Sequence, residues 1–412
     1  MNLKRNITFS FILVFILTPS LLREKEKEDK SLLLQIGDER LKDKVMEVYP
    51  EKIYSTREGK AIPFSKMIKE MRGSRFVYVG ETHNSLPMHD IQLKIIQGLF
   101  NQDRNLSIGL EMIPVNSQEA LNQWSLGILT REEFIHEVKW YINWNFNFGF
   151  YEKVFEFVKE NGIPVHALNV PRTIIRKIRM NGWESLSDEE KKLVPQPDLS
   201  NEDHRILIRT IFESADIPHQ MKGRSLDFAF EGLYRAQSAW DEVMSFHALR
   251  SMRRGQEKMV VLVGSGHLLY NLGVNRRVYE RSRLPFKTVV SLSVPEGGRS
   301  IRVSRSLADY IWGIPEEERP AFPSVALSFK KFPGLKNLVI ERKPIEGVAK
   351  GADFEKGDIV LSVDGKVFED INELRIYLAK FKWDDEVKFC LLRNARQLKV
   401  GLKFQPPQKK GQ

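Results

Sequence analysis

A chain of 412 residues is too long for one small domain and long enough for two or three, and 42% hydrophobic residues allow a sizeable core. The net charge of +10 is spread along the chain, with no zinc-finger spacing, RNA-binding aromatic signature or basic zipper, which argues against nucleic acid as a partner. The single cysteine, Cys390, excludes an intramolecular disulfide and, beside Phe389 and Leu391, reads as a small core residue.

In chain order, Lys4 and Arg5 precede an uninterrupted apolar run from Ile7 to Leu22, and REKEKEDK follows at once. Residues 1–22 therefore read as an export signal or an uncleaved anchor, marginal for a full span of about 20 residues. The expectation is an exported protein, periplasmic or membrane-anchored in the cell envelope, touching membrane only through this segment. Residues 23–60 are highly charged and read as a spacer or peripheral element.

From 61 to 314 strand-like and helix-like runs alternate. The strands are 76–80, 106–111, 163–168, 259–264 and 287–292; the helices are roughly 89–100, 116–125, 130–140, 150–161, 170–181, 201–214 and 224–254. The strands are continuous apolar runs rather than period-two patterns. The fold class expected is α/β, a mostly parallel sheet covered by helices on both faces.

The strand ends carry the chemistry. The first runs into Gly80-Glu81-Thr82-His83, the second ends at Glu111, the third leads to Asn169 and Arg172, and the fourth ends in Gly264-Ser265-Gly266-His267. Ligands of open parallel sheets bind outside the carboxyl ends of the strands. Glu81, His83, Glu111, Arg172 and His267 should therefore converge. A lone Gly-x-x-His is common by chance; two copies after two strands, with an acid after a third, point to one site.

Other segments add to this edge. The long helix around 224–254 has one face built from Leu226, Phe230, Leu233, Gln237, Trp240, Met244 and His247, which puts Gln237 near the site and leaves His247 open between site and packing. Pro171 opens a helix, so Arg172 joins a helix N-terminus as an anion site, while Arg176 and Arg179 read as a solvated face. WYINWNFNFGFY, 140–151, interleaves aromatics with Asn143, Asn145, Asn147 and Gly149. It reads as a loop that either walls a flat apolar ligand or plugs the core.

Residues 315–329 form a linker with Pro315, Pro320 and Pro323, and 405–412 a tail. Between them, ADFEKGDIVLSVDGKVFEDINELRIYLAK resembles a bacterial PDZ domain over 330–404. That implies a groove between the strand around Leu338 to Lys343 and the helix around Ile371 to Ala379, where a peptide or protein C-terminus adds as a strand. FPGLKN is the best candidate for the carboxylate loop.

The main domain resembles the ChaN-like haem-binding uptake family of the Tiki/TraB/erythromycin-esterase superfamily. The matching segments are VGETHNSLPMHDIQL, GLEMIPVNSQ, FYEKVFEF, VHALNVPRTIIRKIRMNG, AQSAWDEVM, VGSGHLLYNLGVNRR and ADYIWGIP. The resemblance implies haem binding and iron uptake, with haem held between two protomers of a homodimer. The cofactor-binding residues would be His83, Tyr151, Arg172, Gln237, His267 and Tyr270. Where the family often has Asp-Tyr-Gly after the second motif, this chain has Asn271-Leu272-Gly273, with the tyrosine moved to Tyr270. Other superfamily branches imply a metal-dependent peptidase or hydrolase, with a divalent ion on His83, His267 and Glu111 and catalysis by Glu81, His83, Glu111 and His267. A third class is an envelope scaffold working through its PDZ domain. The haem reading is preferred.

Overall fold

Val77 and Val79 enter one hydrophobic cluster, while Phe76 and Tyr78, their neighbours on the same strand, enter another on the opposite face of the sheet. Val260 and Leu262 alternate with Met259, Val261 and Val263 in the same way. Both faces are buried, so the period-two geometry of a strand leaves no polar residue in the sequence.

The computed structural model describes residues 29–215, 224–252, 258–295 and 297–406. The apolar run at 7–22 lies outside them. Among the described residues no helix is long and apolar enough to cross a membrane.

The strands are β1 Val45–Val48, β2 Ile53–Ser55, β3 Lys60–Ile62, β4 Phe76–Glu81, β5 Leu106–Pro114, β6 Val165–Asn169, β7 Lys258–Gly264, β8 Phe286–Val294, β9 Ile301–Ser304, β10 Tyr310–Pro315, β11 Phe329–Lys330, β12 Leu338–Ile340, β13 Ile359–Val363, β14 Glu386–Arg393 and β15 Arg396–Lys403. The helices are α1 Phe64–Glu70, α2 Leu86–Gln102, α3 Gln118–Ser125, α4 Arg131–Glu137, α5 Trp140–Asn143, α6 Glu152–Asn161, α7 Arg172–Asn181, α8 Asp188–Leu193, α9 Glu202–Ser214, α10 Arg224–Ser251, α11 Val274–Ser282 and α12 Ile371–Leu378.

The main sheet has the order β3-β2-β10-β8-β4-β7-β5-β6. From β10 to β6 every pairing is parallel, and β2 and β3 add an antiparallel edge. The chain runs outward from β4 to β5 and β6, returns to insert β7 between β4 and β5, then crosses to β8 and β10. The carboxyl ends of β4, β7 and β5 therefore lie side by side at the centre of the sheet. Helices α2 to α6 cover one face and α9 to α11 the other.

Two segments depart from the expectation. The charged stretch before residue 60 is not only a spacer: β2 joins the main sheet and β1 pairs with β9. Residues 301–315, given no strand in the sequence reading, supply β9 and β10. These strands are three to six residues long. They are too short for an alternation to stand out among neighbouring charges.

The C-terminal sheet runs β11-β12-β13-β14-β15, all antiparallel, with α12 packed over it through Leu374 and Leu378. Here the expected groove needs correction. The strand at Leu338 is internal, hydrogen-bonded to β11 on one side and β13 on the other, so it has no free edge for an added peptide. The edge beside it belongs to β11, and FPGLKN is the turn between β11 and β12. Cys390 also departs. Phe389 and Leu391 point into the core, so the thiol between them faces the opposite, half-exposed side of the sheet, where Gln397 donates to its sulfur.

Candidate functional site

The strand ends converge. Glu81, His83, Glu111 and His267 are 2%, 8%, 5% and 8% exposed. His83 Nδ1 donates to Glu81 Oε1 at 2.6 Å. Glu111 Oε2 accepts the Gly264 amide at 2.6 Å, and its Oε1 lies 3.3 Å from His267 Nε2. Gly264 brings the two motifs together: a Cβ there would stand 2.7 Å from Cε1 of His83.

The two imidazoles are not equivalent. His267 is held at both nitrogens. Nδ1 donates to Asp241 Oδ1 at 2.6 Å and has the Gln237 amide at 2.7 Å, while Nε2 faces Glu111. Burial opposes its charge, but Glu111 and Asp241 outweigh burial and hold the imidazolium up to about 10. His83 is held at Nδ1 alone, and among the described residues nothing bonds its Nε2. Burial opposes its charge as well; Glu81 and Glu111 still keep its pKa above the ordinary value. Burial works against ionised Glu111 too, yet His267, His83 and the Gly264 amide hold it below the usual range.

The second coordinate of the site is a buried relay leading away from it. Asp241 Oδ2 lies 3.2 Å from His204 Nε2 and 3.4 Å from an Arg277 nitrogen. Arg277 reaches Glu242, which also pairs with Arg281. The sequence reading found Gln237 and missed Asp241, His204 and Arg277. Asp241 stands one helical turn after Gln237 on the inward face of α10, and that i,i+4 pairing was the available signal.

The aromatic stretch plugs the core, as one of the two readings had it, and two of its rings also touch His83. Trp140 and Phe148 lie in the core. Trp144, itself in that core, and half-buried Phe146 also pack edge-on against His83, with ring centroids 4.5 Å and 4.9 Å away. Neither tyrosine presents a free hydroxyl. Tyr151 accepts the Trp144 indole N–H at 2.8 Å behind His83, and burial pushes its pKa well up. Tyr270 is not brought to the cluster: its hydroxyl donates to Ser31 O at 2.8 Å and accepts from the Leu34 amide at 2.9 Å. His247 is also elsewhere, on Leu193 O at 3.1 Å. Arg172 is half-buried at the start of α7, and its guanidinium reaches Trp144 O at 3.5 Å.

Glu81 Oε2 is buried without a hydrogen-bond partner, with His89 Nε2 at 3.9 Å. An unsatisfied carboxylate oxygen of this kind costs about 1–3 kcal/mol, and the cost falls if a cation or donor arrives beside it. Among the described residues no group of three or more His, Cys, Asp or Glu side chains is arranged to hold a metal ion. Of the set His83, His267 and Glu111, His267 Nε2 and Glu111 Oε1 face each other at 3.3 Å.

The loop after His267 is built on Gly273. A Cβ there would stand 2.0 Å from the His267 carbonyl oxygen, which is backbone and cannot swing aside. Gly273→Ala is expected to destabilise the protein by about 1–3 kcal/mol, read as a lowered Tm in a thermal melt.

A family model described as haem-binding uptake, Tiki superfamily, ChaN matches residues 67–278, and a PDZ-domain model matches 337–404. Among solved structures the chain is similar to that of cofacial haem binding to ChaN of Campylobacter jejuni, with TM-score 0.50 and 19% identity over 63% of this chain and 95% of that one. At this identity the likeness is one of fold. The erythromycin esterase EreC in its open conformation gives TM-score 0.40 and 12% identity over 65% and 98% of the two chains. The chloroplastic Protein RETICULATA-RELATED 5 of Arabidopsis thaliana is 29% identical over 137 residues, 31% of this chain. The match spans only 18% of that relative's length.

Proposed function

The chain belongs to the haem-binding uptake family of the Tiki superfamily, ChaN, with a C-terminal PDZ domain, and from that premise we propose that it binds haem at the edge formed by Glu81, His83 and Glu111, as part of iron or haem uptake at the cell envelope. One observation carries this reading: Glu81 holds His83 by Nδ1 and leaves Nε2 unbonded beside two flat aromatic rings. A carboxylate on the far nitrogen fixes the tautomer and raises the basicity of a ligating imidazole.

The residues suit the group. Half-buried Phe146, with Trp144 packed behind it, would give an apolar wall to a porphyrin plane, His83 Nε2 a nitrogen to iron, and Arg172 a cation to a carboxylate. Haem, once bound, would supply the iron; everything else at the site is orientation and charge from the chain. Both tyrosines are protonated and engaged, so the imidazole is the better donor. Glu111 and Asp241 keep His267 cationic, as a fixed positive charge beside the site rather than a second iron ligand. Three further parts of the proposal have other grounds. Export and envelope location rest on the apolar run from Ile7 to Leu22. A peptide partner rests on the PDZ domain, and the edge of β11 is its natural place. Pairing of two protomers around haem rests on the family alone.

The test is a titration of the purified chain with hemin, followed at the Soret band. The expected result is a saturable red shift with Kd of about 1 μM or below. An unchanged Soret band, with ester or peptide hydrolysis that appears only when divalent metal is added, would overturn the proposal in favour of a metal-dependent hydrolase.

A further inference from the structure

The segment that walls His83 is held from outside by the other domain. Helix α12 of the PDZ domain lies against α5 and the segments on either side of it: Asn147 Nδ2, after α5, donates to Ala379 O at 2.9 Å, and His136 Nε2, on α4, lies 3.1 Å from the Glu373 carboxylate. Ile376 and Ala379 pack on the aromatic cluster. The linker closes over the same place, with Phe322 edge-on to Phe150 at 4.9 Å and Ser85 Oγ donating to Glu317 at 2.6 Å.

Within this contact two arginines reach one short segment. Arg172 of α7 donates to Trp144 O, and Arg375 of α12 donates to Tyr141 O. Each is half-buried, and they approach one short segment from different domains. Burial, and after it the neighbouring charge of Arg375, push the Arg172 guanidinium down to about 10. Among the described residues neither forms a salt bridge with a carboxylate. Each is held by one backbone carbonyl, which leaves most of a guanidinium's five donors unused. Two half-buried like charges repel, an effect that Glu111 and Glu341 offset in part, and an anionic group between them would turn the repulsion into two attractions.

We propose that Arg172 and Arg375 form a two-domain clamp for a carboxylate of the ligand bound beside His83, so that the PDZ domain supplies a binding residue to the α/β site. The clamp rests on the haem reading, in which the carboxylate is a propionate. Guanidinium forks suit a carboxylate because they can bind it with two parallel hydrogen bonds.

The test compares hemin with its dimethyl ester, in which both propionates are neutral, on the full chain and on Arg375→Gln. The expected result is about tenfold weaker hemin binding by the variant, with ester affinity unchanged. Arg375→Lys, which keeps the charge but loses the two-pronged fork, should recover only part of the hemin affinity. Unchanged affinity for both compounds would overturn the clamp and leave Arg375 as a cap on α5. Equal loss for both would also overturn it, because Arg375 would then act by holding Trp144 and Phe146 in place. Absence of hemin binding by the unaltered chain would remove the haem reading itself; binding by the unaltered chain with no effect of Arg375→Gln removes the clamp alone.

Discussion

His83→Ala is expected to weaken hemin binding by about 100-fold or more and to move the Soret maximum of whatever complex remains. His83 is the imidazole at the sheet edge whose Nε2 stays unbonded among the described residues, and it also packs on Trp144 and Phe146. The variant loses both the nitrogen and the ring. Glu81→Gln should cost less, about tenfold, because it leaves the nitrogen and removes only the carboxylate that orients it. The order of the two effects matters more than their size. If Glu81→Gln were as damaging as His83→Ala while folding normally, Glu81 would touch the ligand itself and the assigned roles would be wrong. The readout is hemin titration with a thermal melt on each variant.

Asp241→Ala is expected to be the most destabilising substitution in the α/β domain, by about 3–5 kcal/mol. Asp241 is fully buried and stands between His267, His204 and Arg277. Removing it leaves two cations, imidazolium and guanidinium, buried without their shared counter-charge. The pH dependence carries the sign. Burial alone would raise the Asp241 pKa, but His267, His204 and Arg277 together hold it far below the ordinary value. Its contribution is therefore present above about pH 4, where the unfolded carboxylate is ionised, and is lost as pH falls through the folded value. His267 runs the other way. Its folded pKa is raised to about 10, so its contribution is complete below about pH 6.5 and is lost as pH rises toward 10. The Tm should accordingly fall between pH 7 and pH 10. Asp241→Asn should flatten that fall, since it withdraws one of the two charges that raise His267. A Tm that is flat over this window in the unaltered chain would contradict the buried imidazolium.

Much of this arrangement could be read from the residues. β4, β5 and β7 were legible because strands covered on both faces are continuous apolar runs, and where such runs stop at glycine, acid and histidine the sheet edge announces itself. The Gly-x-x-His repeats sit on adjacent strands, β4 and β7, although about 180 residues separate them, and no local pattern encodes that adjacency. It follows from the return of the chain to fill the gap beside β4. The relay behind His267 was harder. Asp241, His204 and Arg277 lie on three helices, far apart in sequence, and are buried among apolar and other polar side chains. Only the spacing of Gln237 and Asp241 links any of them to the site.

The misplacements have physical causes as well. Tyr270 follows His267 closely in sequence, yet its backbone takes a left-handed φ of 58° and its ring turns to Ser31 and Leu34. Proximity along the chain says little about direction after two tight turns. The PDZ groove was placed at the strand around Leu338 to Lys343 because the resemblance implies one there, whereas the edge strand β11 is two residues long and carries a lysine. Arg375 was invisible for another reason: its meaning depends on how two domains meet.

The most direct measurement is a crystal structure of the full chain loaded with hemin. The account predicts iron bonded to His83 Nε2, with Nδ1 still on Glu81, the porphyrin against Trp144 and Phe146, and a propionate between Arg172 and Arg375. Iron on a tyrosine oxygen, or haem bound away from the ends of β4 and β7, would contradict it.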